Sequence, residues 1–371
     1  MHFAIIARVL GMLLIIFSLS MLTPVLVALL YGENTSHTFF IAFAITFLVG
    51  LIFWLPSRGS KGELRTRDGF VVTVFFWLVL SSFGSLPLML SEALQLNFID
   101  ALFESISGLT TTGATVIAGL DNLPKSILYY RQQLQWLGGI GIVVIAVAIL
   151  PMLGVGGMQI YRAETPGPMK DSKLTPRITE TANVLFRIYL CLTIACALAY
   201  WGAGMSGFDA ISHSFSTVSI GGFSTHDASI GFFDNSAIMA ICCFFMIIAG
   251  LNFALHFHAW HSLRPSMYWA DPEARLYLFL LLVGAIITCC YLYYSGTFDR
   301  NESIRQGAFQ LISIMTTTGF TTSEFHNWPS FLPFFLIFLS FFGACAGSTG
   351  GGIKIGRMLI LAKQGGREIY R

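Results

Sequence analysis

Charge is what this sequence has least of. Asp, Glu, Lys and Arg make up 11% of its 371 residues against 55% hydrophobic ones, and the mean hydropathy is +0.72. A water-soluble domain of this size cannot cover so much apolar side chain with so little polar surface, so lipid is the expected solvent. The net charge of +2 decides nothing by itself, because in a membrane protein the placement of Lys and Arg matters more. Acidic residues are nearly missing from the apolar runs. That counts against a membrane enzyme, which needs clustered His, Asp or Glu. It also counts against an ion-coupled secondary transporter of another solute, which would place acids at the bilayer midplane. The seven cysteines (Cys191, Cys196, Cys242, Cys243, Cys289, Cys290 and Cys345) are odd in number, sit in apolar stretches and lack a metal-type spacing. Buried packing is therefore expected of them rather than disulfides or zinc. His256, His258 and His261 cannot bring three imidazoles to one helical face, which argues against a metal site there. At the N-terminus a retained transmembrane helix is expected rather than a cleavable leader, since the apolar run from Val9 to about Leu30 is too long and has no small-residue cleavage pattern.

Long hydrophobic runs, by contrast, are plentiful. They lie near 9–31, 38–55, 70–90, 127–150, 184–203, 236–259, 276–295 and 331–361. A helix needs about 20 such residues to cross a bilayer, so the pattern predicts an all-α membrane protein of eight spans. Between the third and fourth, fifth and sixth, and seventh and eighth spans lie shorter segments, 98–109, 208–218 and 304–315. These are too short to cross and read as re-entrant helices. With the N-terminus in the cytoplasm, seventeen of the Lys and Arg residues fall on the inner side and only Lys125, Arg131, Arg300 and Arg305 on the outer. That asymmetry is the one expected of the cytoplasmic face, and it brings all three short segments in from outside. Trp54, Trp201, Tyr268 and Trp269 stand near span ends as interface anchors.

The short segments repeat one another. Thirteen residues separate Asp100 from Gly113, Asp209 from Gly222, and Gln306, standing in place of the acid, from Gly319. They finish as Thr110-Thr111-Thr112-Gly113-Ala114-Thr115, Ser219-Ile220-Gly221-Gly222-Phe223-Ser224 and Thr316-Thr317-Thr318-Gly319-Phe320-Thr321. A two-helix extension (1–57) therefore precedes three repeats (58–160, 161–262 and 263–371), each a helix, a re-entrant helix with a filter-like segment, and a helix. Irregular main chain at membrane depth is tolerated only where it is buried in protein or faces water. One copy would pass for an exposed turn or a close-packing site; three in register imply a shared aqueous path. Rings of main-chain carbonyls replace a cation's water without placing a full negative charge in the bilayer. Glycine turns there at low steric cost, small hydroxyl side chains add oxygens, and the short helices direct their partly negative C-terminal ends inward.

The last apolar stretch is broken by Gly343-Ala344-Cys345-Ala346-Gly347-Ser348-Thr349-Gly350-Gly351-Gly352, followed by Lys354. Five glycines in ten residues do not hold a helix. Gly343, Gly347 and Gly351, four apart, also suit a small-residue packing face. A phosphate-binding loop is disfavoured, because the GKS or GKT ending and the preceding strand are missing.

With its three filter-like segments TTTGAT, SIGGFS and TTTGFT and its helix, short helix, helix plan, the chain from end to end resembles the Trk/Ktr/HKT superfamily of potassium transporters, and within it the bacterial TrkH-type subunit. The resemblance implies a potassium filter lined by Gly113, Gly222 and Gly319. Thr110, Thr111, Thr112, Ser219, Ile220, Gly221, Thr316, Thr317 and Thr318 would supply the remaining carbonyls. It also implies that the run carrying Gly343, Gly347, Ser348, Thr349, Gly350, Gly351, Gly352 and Lys354 is an intramembrane gating loop below the filter. A bacterial inner membrane, a homodimer, potassium as the ion handled with no organic cofactor, and a cytosolic nucleotide-binding regulatory protein of the TrkA type are implied as well. Membrane lipid is an expected partner and nucleic acid is not. Channel-like flow and symport remain alternatives. The family plan has four repeats around one ion path, whereas the sequence given stops at Arg371 where a fourth would start. The expectation is a C-terminal truncation rather than a quarter supplied by another polypeptide, with an inert fragment as one reading of these residues alone.

Four further features invite a role. Asp100 and Asp209 open their short helices either as N-caps or as cation-attracting groups of the outer mouth. Glu104, one turn in, is expected to pair with a neighbouring group such as Arg131. The basic loop from Arg162 to Arg187, with Pro166, Pro168 and Pro176, serves membrane orientation or docks the regulatory protein.

Overall fold

The computed structural model describes residues 3–59, 66–149, 178–329 and 331–369. The basic loop as far as Arg177 lies outside the described residues, as do Lys61, Arg65 and Arg371. The chain divides into two compact units, 3–149 with 178–186, and 187–369 among the described residues.

The first unit is built from α1 (Phe3–Ser20), α2 (Leu22–Tyr31), α3 (Ser36–Ser57), α4 (Thr66–Gly84), α5 (Leu86–Leu90), α6 (Phe98–Leu109) and α7 (Lys125–Ile149). Helices α1 and α2 run on as one membrane-length apolar stretch, Phe3–Tyr31, which stops where Gly32 turns left-handed with φ 67°. Two glycines let α1 and α3 cross closely: a Cβ on Gly11 would stand 2.8 Å from the Gly50 carbonyl, and one on Gly50 2.9 Å from the Gly11 carbonyl. Small residues at helix contacts permit this approach where lipid supplies no hydrophobic drive between helices. Leu14, Met21, Phe39, Leu88 and Tyr130 form the core behind them. The Tyr130 hydroxyl donates to the Gly84 carbonyl at 2.8 Å, tying α7 to the end of α4.

The second unit takes up α8 (Ile178–Gly202) from Arg187 onward, then α9 (Gly207–Val218), α10 (Ser236–Ala249), α11 (Phe253–Ser262), α12 (Met267–Ala270), α13 (Pro272–Tyr294), α14 (Arg300–Met315), α15 (Phe331–Ser340) and α16 (Ile355–Ile369). Among the described residues there is no strand, only an isolated bridge between Phe342 and Ile353. Side-chain burial is the reverse of a soluble protein's. Leu48, Ile52, Leu78, Leu198, Phe244 and Phe334 are exposed, while Ser212, His213, Ser214, Ser216 and Thr217 are buried. Such a distribution suits a multi-pass helical protein surrounded by lipid.

Three of the eight expected spans come out differently. Stretch 127–150, which α7 follows as far as Ile149, leaves helical geometry at Gly141, with φ 60° and ψ -168°. Stretch 236–259 is not straight: α10 and α11 meet at a 96° bend. Its cause lies in Gly250 and Asn252. Asn252 caps α11 by accepting the Ala254 N–H, and a Cβ on Gly250 would stand 2.2 Å from the hydroxyl of Tyr277 on α13. Stretch 331–361 is helical only to Ser340, and α16 beyond the glycine run is amphipathic rather than apolar. Five helices among the described residues are long and apolar enough to cross a membrane, or six if the bent pair is one span. The cysteines also depart from expectation. Cys196, Cys242 and Cys345 are buried, but Cys191 and Cys290 lie on exposed faces, because an apolar stretch surrounded by lipid has no need to turn every sulfur inward.

Candidate functional site

Helices α6, α9 and α14 each lead into one of the three repeated segments, and the residues that cap them differ from the sequence reading. Asp100 and Asp209 are not the N-caps. Asn97 and Ser206 are, each accepting a hydrogen bond from the Asp backbone N–H while donating to its carboxylate at 2.7 Å. The accepted bond satisfies one orphan backbone N–H at each helix start, and the donated one fixes the cap side chain. Helix α14 begins earlier than 304 because Asp299 caps it through the Glu302 N–H.

The three helices end in one and the same turn. The N–H groups of Thr112, Gly221 and Thr318 donate to the carbonyls of Ser107, Ser216 and Ser313 at 2.9, 2.8 and 2.9 Å. Those of Thr111, Ile220 and Thr317 donate to Gly108, Thr217 and Ile314. Paired bonds of this kind make a Schellman ending, which needs a left-handed residue. In all three copies that residue is β-branched: Thr111 (φ 54°), Ile220 (φ 57°) and Thr317 (φ 65°). β-Branched residues at positive φ carry strain of about 1–3 kcal/mol and persist where the surroundings impose them. Two residues on, Gly113, Gly222 and Gly319 turn left-handed again, with φ 77°, 81° and 87°. Successive residues therefore leave the helix ladder with their carbonyls outside its hydrogen-bond pattern.

Side chains then tie the outgoing chain back to the short helix. In the first copy Glu104 accepts from the Thr115 hydroxyl and the Val116 N–H, and Arg131 Nε donates to it at 2.7 Å in a fully buried ion pair. In the second, Asp209 accepts from the Thr225 hydroxyl at 2.8 Å, and His213 bonds Ser224 at 2.9 Å. In the third, Gln306 accepts from the Thr322 hydroxyl. The second and third segments also touch: a Cβ on Gly222 would stand 1.9 Å from the Thr318 carbonyl oxygen, so the two main chains meet there.

The glycine run packs beneath these two segments within the second unit. The Thr349 hydroxyl reaches the Val218 carbonyl at 3.0 Å, and the Gly351 N–H donates to the Thr317 hydroxyl at 2.8 Å. Gly350 faces Ile220 and the Thr316 carbonyl. Its other side is held by the bend, Cys345 N–H to the Gly250 carbonyl at 2.9 Å and Phe253 N–H to the Gly347 carbonyl at 3.0 Å. Gly343 packs on Gly351, where a Cβ would stand 1.9 Å from the carbonyl oxygen. Ser348 bonds the Cys345 carbonyl, Gly352 turns with φ 72°, and buried Lys354 donates to the Gly350 carbonyl. Gly343, Gly347 and Gly351 thus belong to a folded non-helical loop rather than to one stripe of a packed helix. Among the described residues no group of three His, Cys, Asp or Glu is placed to hold a metal ion, and both ring nitrogens of His256 are engaged, by the Tyr268 hydroxyl and the Ile248 carbonyl.

The family described as "TrkH: Cation transport protein" matches residues 35–371. The Trk system potassium uptake protein TrkH of Halomonas elongata is 56% identical over 372 residues, a match that covers 100% of this chain and 77% of that protein. The protein of the same name from Escherichia coli K12 is 52% identical with the same coverage. The chain belongs to the TrkH family. A crystal structure of the potassium transporter TrkH from Vibrio parahaemolyticus matches with a TM-score of 0.90 and 51% identity, covering 100% of this chain and 76% of that one. TrkH-family proteins are transporters, not enzymes.

Two features of this TrkH-family site escaped sequence reasoning. The left-handed β-branched residue two before each glycine had no signal in residue type, although the serine six before each glycine, Ser107, Ser216 and Ser313, repeats in register. Glu273 also escaped, although an acid at the start of an otherwise apolar span was a readable signal.

Proposed function

We propose that the chain is a potassium-uptake subunit whose filter is formed by Thr110–Gly113, Ser219–Gly222 and Thr316–Gly319, one segment from each of the repeats 58–160, 161–262 and 263–371. Helices α6, α9 and α14 are its pore helices. A potassium ion entering from outside exchanges water for main-chain carbonyls at these segments, and the glycine loop from Gly343 to Lys354 closes the path beneath them. The subunit sits in the bacterial inner membrane with its N-terminus in the cytoplasm, works as a homodimer, and answers to a cytosolic nucleotide-binding regulatory protein, for which the basic loop from Arg162 to Arg187 is the docking element. Support for the filter comes from one observation: three short helices end in the same doubly left-handed turn at the same register. The names of the relatives support potassium as the ion. Complementation of cells that lack their own potassium uptake tests the reading. The full-length protein restores growth at low potassium, and Gly113→Ser or Gly319→Ser lowers the preference for potassium over sodium; an unchanged preference in both variants counts against the filter assignment.

A further inference from the structure

Glu273 lies in the first turn of α13 and is buried, with about 8% of its surface exposed. A carboxylate at that position is favoured by the N-terminal end of the helix, but its hydrogen bonds go elsewhere. One oxygen, Oε1, accepts the Ala346 N–H at 2.7 Å and the Gly356 N–H at 2.8 Å. These two amides stand on opposite stems of the glycine loop, and between them lie Thr349 and Gly351, which touch Val218 and Thr317. A single carboxylate oxygen therefore closes the loop at its base. Gly356 is shaped for this contact, since a Cβ there would stand 3.1 Å from the same oxygen. The other contacts that seat the loop are neutral bonds to carbonyls and a hydroxyl, plus the Lys354 ammonium on the loop's own Gly350 carbonyl. Bonds to an ionised acceptor are roughly twice as strong as neutral ones. The side-chain oxygen that accepts from both stems of the loop thus comes from α13, a helix that carries no filter residue.

We propose that Glu273 is the latch of the glycine loop, a positioning residue that holds both stems together in the closed state and must release at least one of them for the loop to leave the path. This rests on reading the loop as a gate and adds the group that sets its closed–open balance. Each stem that is released leaves a buried N–H to find a new partner, so the closed state is favoured as long as the carboxylate is present.

The test uses the full-length protein in liposomes, with rubidium flux and hydrogen–deuterium exchange of the 343–356 peptide as paired readouts. Glu273→Gln keeps the shape and removes the charge. Gly356→Ala keeps the acid and crowds the contact, so the outcome does not hang on one variant's folding. Both are expected to speed exchange in the loop and to raise flux about tenfold while the potassium-to-sodium ratio stays unchanged, because the filter segments are untouched. A third protein, shortened by deletion of 348–350, separates the two ideas. If it conducts more than the unaltered protein while Glu273→Gln and Gly356→Ala show unchanged or lower exchange and flux, the latch is wrong and the gate stands. If the shortened protein conducts no more than the unaltered one, the gate reading fails and the latch with it.

Discussion

Arg131 and Glu104 form an ion pair at 2.7 Å in which both side chains are buried. Taking one partner away leaves an uncompensated charge in a medium that cannot solvate it, at a cost of about 3–5 kcal/mol. Arg131→Ala is therefore expected to lower the thermal unfolding midpoint in detergent by far more than Lys125→Ala, whose ammonium rests over the exposed ring of Tyr31. Equal midpoints would show that Glu104 finds another partner. This pairing was legible in the sequence, because two opposite charges in apolar surroundings have few other solutions. Glu273 was less legible: its partners are backbone N–H groups far along the chain, and residue type says nothing about where a loop's amides point. Capping roles were half legible. The acids Asp100 and Asp209 marked the helix starts, but the neutral Asn97 and Ser206 three residues earlier take the cap position, since a short side chain accepts the exposed N–H most directly.

At the level of elements, two short helices were predicted closely, 98–109 without change and 208–218 within one residue, because apolar periodicity and the punctuation after them agree, whereas the third begins at Arg300, four residues before the expected 304. The bend between α10 and α11 was hidden. Gly250 and Asn252 sit in a run apolar enough to pass for one span, and the wedge that decides the matter, Tyr277, comes from a different helix. The glycines of the two repeated segments in the second unit, Gly222 and Gly319, differ in what surrounds them. Gly222 is pressed against the Thr318 carbonyl, whereas no described atom lies within 4 Å of where a Cβ on Gly319 would stand. Gly222→Ala must displace main chain, and a clash of this kind in a packed region costs about 1–3 kcal/mol or more. Gly319→Ala meets only the strain of its left-handed φ, about 1 kcal/mol. Size-exclusion profiles and yields of the purified variants check this. Gly222→Ala is expected to aggregate or express poorly and Gly319→Ala to remain well dispersed; the reverse order would contradict the geometry.

For the molecule as a whole, composition and the long apolar runs were enough to indicate an all-helical membrane protein, and three matching segments suggested one path through it. What sequence alone left open was how a loop with five glycines keeps a shape. The answer is that it borrows partners from the bend at Gly250, from Val218 at the end of α9 and Thr317 in the third repeated segment, and from Glu273 on α13. The central claim remains that a dehydrated potassium ion is held by main-chain oxygens of the three repeated segments. A density map of the full-length protein prepared in thallium or rubidium tests it most directly. The account predicts heavy-ion density beside the carbonyls of Thr110–Gly113, Ser219–Gly222 and Thr316–Gly319; heavy-ion density found only at sites away from these carbonyls would contradict it.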